Sequence, residues 1–156
     1  VERMAREARK WPTGLVHLGN PNNPTSSMTP PQAISWLAGN LPEGWRLLVD
    51  EAYIDYVADT ESVTAIGLVK QGRPVIVTRT FSKLYGMAGA RIGFGCARPD
   101  LIAEMRGFRE NVASILGARA AAAALAECPA GVRARRQWRE QVRGEFCRWL
   151  DVQGLE

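Results

Sequence analysis

Apolar residues along this chain come in short dense runs that stop at clusters of polar residues. "GLVHLGN", Gly14 to Asn20, is one such run, closed by the turn-rich "NPNNPTSS". It predicts a buried strand followed by a loop. "WRLLVDEAY" predicts a second strand ending at Asp50, and "RPVIVTRT" a third ending near Thr80. "RIGFGCA" is a candidate fourth. The stretches between them carry helical signals. In "TPPQAISWLAGN", Thr29 suits an N-cap, Pro30 the first helical position and Asn40 the C-terminal stop. "DTESVTAIGLVKQG" reads as one helix, capped by Asp59 or Thr60 and stopped by Gly72. From Pro99 onward the pattern is helical: "PDLIAEMRGFREN", then "ASILGARAAAAALAE", then an arginine-rich segment. Pro129 and Gly131 separate the last two, which places a domain boundary or hinge there.

Strands that alternate with helices at this spacing predict an α/β fold with a mostly parallel sheet. Ligands of such sheets sit in the crevice beyond the carboxyl ends of the strands. Three strand ends therefore matter most. They carry Asn23, then Asp50 and Tyr53, then Thr80, Ser82 and Lys83. Parallel topology brings these distant positions to one edge of one sheet.

Composition narrows the class. With 156 residues, 46% hydrophobic and 23% charged, the chain has the make-up of a soluble globular protein, and no apolar run is long enough to span a membrane. Its three cysteines, Cys96, Cys128 and Cys147, lack metal spacing, so free thiols in a reducing cytoplasm are expected. The net charge of +4 is concentrated in "VRARRQWREQVRGEFCRWL", Val132 to Leu150. Trp138, Val142, Phe146 and Trp149 follow helical spacing there. This reads as an amphipathic helix with a solvated arginine face, rather than a nucleic-acid site. Both ends read as interrupted elements: a charged helical pattern at "VERMAREARKW", and "DVQGLE" where a strand is due to follow. A fragment of a larger protein is expected.

Only three lysines occur, Lys10, Lys70 and Lys83, and the last lies in the serine- and glycine-rich turn "TRTFSKLYGMAGARIGFG". A partly desolvated lysine near a cation such as Arg91 suits Schiff-base chemistry. Arg91, Thr80 and Ser82 suit a phosphate, Asp50 a protonated ring nitrogen, and Asn23 with Tyr53 a phenolate oxygen. That is the set of groups pyridoxal 5'-phosphate requires. Each residue also has a plain alternative: Lys83 in solvent, Asp50 as a cap, Asn23 in a turn, Tyr53 in the core. His17 reads as a structural residue of a strand interior, and Glu51 and Asp55 as solvent-exposed.

"NPNNPT", "VDEAY" and "TFSKLYGMAGARIGFG" together resemble the signature segments of fold-type I pyridoxal-phosphate aminotransferases of class I/II, and within them the histidinol-phosphate aminotransferase branch. The resemblance runs from about Trp11 to Ala126. It implies a three-layer sandwich. Residues 1–128 would be part of the large cofactor-binding domain, and residues 129–156 an interdomain helix and the start of a truncated small domain. It further implies that Lys83 bonds the cofactor's aldehyde and shuttles a proton, and that Asp50 keeps the pyridinium protonated. Asn23 and Tyr53 would hold the phenolic oxygen, and Thr80, Ser82 and Arg91 the phosphate. The activity implied moves an amino group from an amino acid or amino-alcohol phosphate to a 2-oxo acid through a pyridoxal-phosphate Schiff base, in a homodimer. One position departs, Ser26 standing where the family has glycine. The family's earlier phosphate-binding loop, its partner-subunit aromatic residue and its small-domain arginine have no counterpart here, so the fragment alone is expected to be inactive.

Two alternatives share the fold: a pyridoxal-phosphate decarboxylase, and a non-catalytic aminotransferase-like binding domain. A nucleotide-binding module ranks below both, because no Gly-Lys-Ser/Thr phosphate loop and no G-x-G-x-x-G opening a helix is present.

Overall fold

The computed structural model describes residues 1–108 and 112–155. The first three apolar runs are strands β1 (Gly14–Gly19), β2 (Trp45–Asp50) and β3 (Val75–Thr80), and "GFGC" is β4 (Gly93–Cys96). They form one sheet in the order β1-β2-β3-β4. β1 and β2 run parallel from Gly14 beside Trp45 to Gly19 beside Asp50, and β2 and β3 from Leu47 beside Val75 to Asp50 beside Thr78. β4 is antiparallel to β3, with Thr80 beside Gly93. The link from Phe81 to Ile92 carries only a short helical turn at Ala88–Ala90 and no α-helix to cross the sheet, so the chain returns along its own edge. Phe81 donates its N–H to the Ile92 carbonyl at 3.2 Å. The close return needs glycine at one place: a Cβ on Gly93 would lie 2.6 Å from the Arg79 carbonyl oxygen.

Helix α1 (Glu2–Ala8) precedes the sheet and α2 (Pro31–Asn40) joins β1 to β2. The core lies under them. Leu37, Leu47, Val49, Val75 and Val77 have no exposed surface, and Ala5 and Ile34 are all but buried against them. Each such aliphatic side chain contributes on the order of 1.5–3 kcal/mol. On the opposite face of β1, Leu15 and His17 are exposed. His17 is therefore not the interior residue expected from its place in an apolar run: alternation along the strand turns it outward.

α2 starts one residue later than expected. Pro30 occupies the cap and Pro31 the first turn, while Thr29 is held outside the helix by donating its N–H to Asn20 Oδ1 at 2.8 Å. The single helix expected over residues 59–72 is two, α3 (Thr60–Val63) and α4 (Ile66–Lys70). Asp59 caps α3, its carboxylate accepting the Ser62 N–H at 3.3 Å. The break at Thr64 has a cause just beyond β2, described below.

Helix α5 (Pro99–Arg106) ends at Gly107, and the expected continuation over Arg109 to Asn111 lies outside the described residues. Helices α6 (Ile115–Glu127) and α7 (Pro129–Val152) meet at an 82° bend at Cys128, as Pro129 predicts, while Gly131 lies within α7. No single helix among the described residues is long and apolar enough to cross a membrane.

α7 departs from expectation in how it docks. Its apolar stripe is exposed, with Trp138 67% and Phe146 57% accessible. Its arginines make the contacts instead. Arg135 donates to the Leu84 and Tyr85 carbonyls (3.2 and 2.6 Å), and Arg136 donates to the Asp55 carbonyl at 2.7 Å. Irregular loops leave backbone acceptors open, and long guanidinium side chains reach them.

Candidate functional site

The loop after β1 is closed at its base. Asn20, fully buried, donates its N–H to the Asp50 carbonyl at 2.9 Å and accepts the Thr29 N–H, so the loop begins beside the end of β2. Inside it, Ser26 donates its N–H to the Asn22 carbonyl and Asn22 donates to the Ser27 carbonyl, both at 2.9 Å. Ser26 has φ 56°, in the left-handed region. The turn that the resembling family makes with glycine is thus kept by a strained serine. Ser26→Gly is expected to raise stability by up to about 1 kcal/mol, read as a shifted denaturation midpoint. The result of the turn is that Asn23 reaches across to donate from Nδ2 to the Tyr53 hydroxyl at 2.7 Å.

At the end of β2, adjacent side chains point to opposite sides. Asp50 is half-exposed. Its Oδ1 accepts the Ala52 N–H at 3.1 Å and the Thr78 hydroxyl at 3.3 Å, and its Oδ2 lies 4.0 Å from His17 Nε2. Glu51 is the reverse of what was expected: it is 1% exposed. Its carboxylate accepts the Thr64 hydroxyl at 2.9 Å, the Ala65 N–H at 2.6 Å and Arg79 Nε at 3.0 Å. Arg79 Nη2 completes an ion pair at 2.9 Å and also donates to the Thr64 hydroxyl at 2.8 Å. This clamp splits α3 from α4, because Ala65 gives its N–H to a carboxylate rather than to a helical carbonyl. Asp55, also expected in solvent, is half-buried, and burial pushes its carboxyl above the usual carboxylate range. Burial likewise raises the Tyr85 phenol.

At the end of β3, the Thr80 hydroxyl accepts the Ser82 N–H at 3.1 Å and shapes the turn into Lys83. Lys83 is exposed rather than partly desolvated, and its Nζ lies 5.1 Å from the centre of the Tyr53 ring. Arg91 has φ 49° and donates to the Ala88 carbonyl at 2.9 Å. It borders a depression with Val112, Ser114 and Gly117, apart from the cleft at Lys83.

Asn23, Tyr53 and Lys83 share one cleft of about 870 Å³. Asp50, Thr80, Ser82 and Arg91 are near the same strand ends but do not line it. Its far wall is α7, through Arg135, Trp138, Arg139 and Arg143. Sequence reasoning missed that wall, and it missed the Glu51 clamp. The one available signal for the clamp was the Asp-Glu pair itself, since two adjacent carboxylates at a strand end face opposite ways. Among the described residues, no group of three or more His, Cys, Asp or Glu side chains could hold a metal ion.

Comparison with known proteins identifies the family. The family model for aminotransferase class I and II matches residues 2–155. An aromatic amino acid aminotransferase of Mycolicibacterium vanbaalenii is 44% identical over 93 residues, 60% of this chain and 26% of that protein. Histidinol-phosphate aminotransferase 2 of Legionella pneumophila is 39% identical over 90 residues, 58% of this chain and 24% of that protein. The structure of histidinol-phosphate aminotransferase from Sinorhizobium meliloti in complex with pyridoxal-5'-phosphate superposes with a TM-score of 0.83 at 30% identity, over 96% of this chain and 41% of that one. These matches span about a quarter of the length of the two curated relatives. The mixed sheet, the ordered strand ends and the family match over nearly every residue lead to one statement: this chain belongs to the aminotransferase class I and II family.

Proposed function

We propose that the protein carrying this chain is an aminotransferase that uses pyridoxal 5'-phosphate to move an amino group from an amino acid or amino-alcohol phosphate to a 2-oxo acid. The observation that carries the reading is the convergence of Asn23, Tyr53 and Lys83 on one cleft from three distant segments.

The donor set fits the cofactor. Tyr53 accepts from Asn23, which leaves the phenol's own hydrogen for an oxygen in the cleft, and one Asn23 amide hydrogen is also available there. These two residues would hold the cofactor's phenolic oxygen. Asp50, partly open at the strand end, would hold the proton of the ring nitrogen. Lys83 would bond the aldehyde, and Thr80 and Ser82 at the end of β3 would serve the phosphate; Arg91, which the resemblance also assigns there, borders a separate depression. When bound, the cofactor supplies an electron sink for charge left at the substrate's α-carbon.

The rest belongs to this chain. The Lys83 amine would take the proton from the α-carbon and return it two atoms along, to the carbon beyond the amino nitrogen, as base and then acid. Asp50 would face the ring nitrogen, its carboxylate held in place by the Ala52 N–H and the Thr78 hydroxyl. The Asn23 amide fixes the Tyr53 ring beside the lysine, so the amine works from one side of the cleft.

Residues 1–128 would belong to the cofactor-binding domain and residues 129–156 to a helix leading into a second domain, with a homodimer as the working unit. The names of the relatives support an aromatic or histidinol-phosphate-like amino donor. The test supplies the complete protein with pyridoxal 5'-phosphate, L-phenylalanine or histidinol phosphate, and 2-oxoglutarate. Formation of glutamate is expected. Carbon dioxide released from the amino acid, with no glutamate formed, would contradict the reading.

A further inference from the structure

Resting on the reading that Lys83 acts in this cleft, we infer that Arg135 and Arg136 are positioning residues for the reaction. Consecutive on α7, they splint the two loops that carry Lys83 and Tyr53, and so set the gap across which the amine works.

The Lys83 turn closes partly on itself. Gly86 donates its N–H to the Lys83 carbonyl at 2.9 Å, and Met87 donates to the Phe81 carbonyl at 3.0 Å. The next two carbonyls, of Leu84 and Tyr85, are met from α7: Arg135 Nη1 donates to both. Among the described residues no other group donates to them. One nitrogen serves both because Nη1 carries two hydrogens. The approach is close: a Cβ on Gly86, whose φ is 72°, would lie 3.4 Å from that nitrogen.

The neighbouring guanidinium does the same for the Tyr53 loop. Tyr53 leads into the helical turn Ile54–Tyr56. Arg136 Nε donates to the Asp55 carbonyl, and its Nη1 donates to the Ala58 carbonyl at 3.4 Å. One turn further on, the Arg139 guanidinium lies over the Tyr56 ring, 5.1 Å from its centre. No described residue of α7 is buried, so apolar packing contributes little to its place. Directional, charge-assisted hydrogen bonds set where it meets the loops. Lys83 Nζ stands 5.1 Å from the centre of the Tyr53 ring, and both residues line the cleft. Movement of either loop changes that gap, and a misplacement of about 1 Å costs a reaction about 100-fold.

The test compares Arg135→Met and Arg136→Met in the complete protein. Methionine keeps an apolar stem and loses the donors. Arg135 is exposed and Arg136 half-buried, so neither change opens the core, and in each variant the other guanidinium still holds α7. Amide hydrogen exchange is read first, without cofactor. Arg135→Met is expected to speed exchange about tenfold in residues 82–87 and Arg136→Met in residues 53–58, each leaving the other loop and β1 to β3 unchanged. Turnover is then read with pyridoxal 5'-phosphate, 2-oxoglutarate and whichever of L-phenylalanine and histidinol phosphate the unchanged protein converts. Each variant is expected to lower kcat about 10- to 100-fold while KM for the donor stays within about threefold. Exchange raised alike in both loops or through the strands, or kcat within about twofold of the unchanged protein, would overturn the proposal. Borohydride fixation of the cofactor on the unchanged protein is run alongside. Label on Lys83 with no effect of either variant removes only the splint, whereas absence of label removes the functional reading beneath it as well.

Discussion

Lys83→Ala is expected to abolish transamination by the complete protein, lowering turnover by about 10,000-fold or more, because the proton at the α-carbon then has no base. The other two lysines cannot substitute. Lys10 follows α1 and pairs with Glu7 at 2.7 Å, and Lys70 ends α4 away from the cleft. The fold is expected to survive, since Lys83 is exposed and its amine makes no hydrogen bond among the described residues. Steady-state kinetics beside a thermal denaturation curve checks both halves. Turnover within tenfold of the unchanged protein would show that the amine has no part in the chemistry.

The second large effect is on stability. Glu51→Ala is expected to cost about 3–5 kcal/mol, read from chemical denaturation, because it leaves the Arg79 guanidinium buried without its anion. It also removes the acceptor for the Thr64 hydroxyl and the Ala65 N–H. Arg79 is only 16% exposed, so water cannot replace the lost partner. Glu51→Gln keeps the size and part of the hydrogen bonding, and falls between. Replacing both Glu51 and Arg79 with leucine is expected to recover most of the loss, as no charge then stays buried. Glu51 sits between Asp50 and Tyr53, so the same substitution is expected to loosen both. A change of less than 1 kcal/mol for Glu51→Ala would show that the clamp is not a stabilising element.

The strands were legible because each apolar run gives way to polar or turn-forming residues: Asn-Pro after β1, Asp-Glu across the end of β2, Ser-Lys shortly after β3. Their parallel order followed from the helices between them, and the edge carrying Asn23, Tyr53 and Lys83 followed from that order. What escaped sequence reading depended on partners far along the chain. α3 and α4 look like one helix until Glu51, thirteen residues before Thr64, takes the hydroxyl. His17 sits in an apolar run, yet faces outward because the strand alternates. The arginines of α7 look like a solvated face, and only the open carbonyls at Leu84, Tyr85 and Asp55 reveal them as the docking face. Periodicity reports which residues share a side of an element, and it says nothing of which distant acceptors that side will meet.

Reductive trapping tests the meeting of the three strand ends most directly. The complete protein is incubated with pyridoxal 5'-phosphate, reduced with borohydride, digested and analysed by mass spectrometry. The cofactor is expected on Lys83 alone, with the labelled fraction reduced in Asn23→Ala and Tyr53→Phe. A label on Lys10 or Lys70, or no label at saturating cofactor, would contradict the placement of this cleft as the site of chemistry.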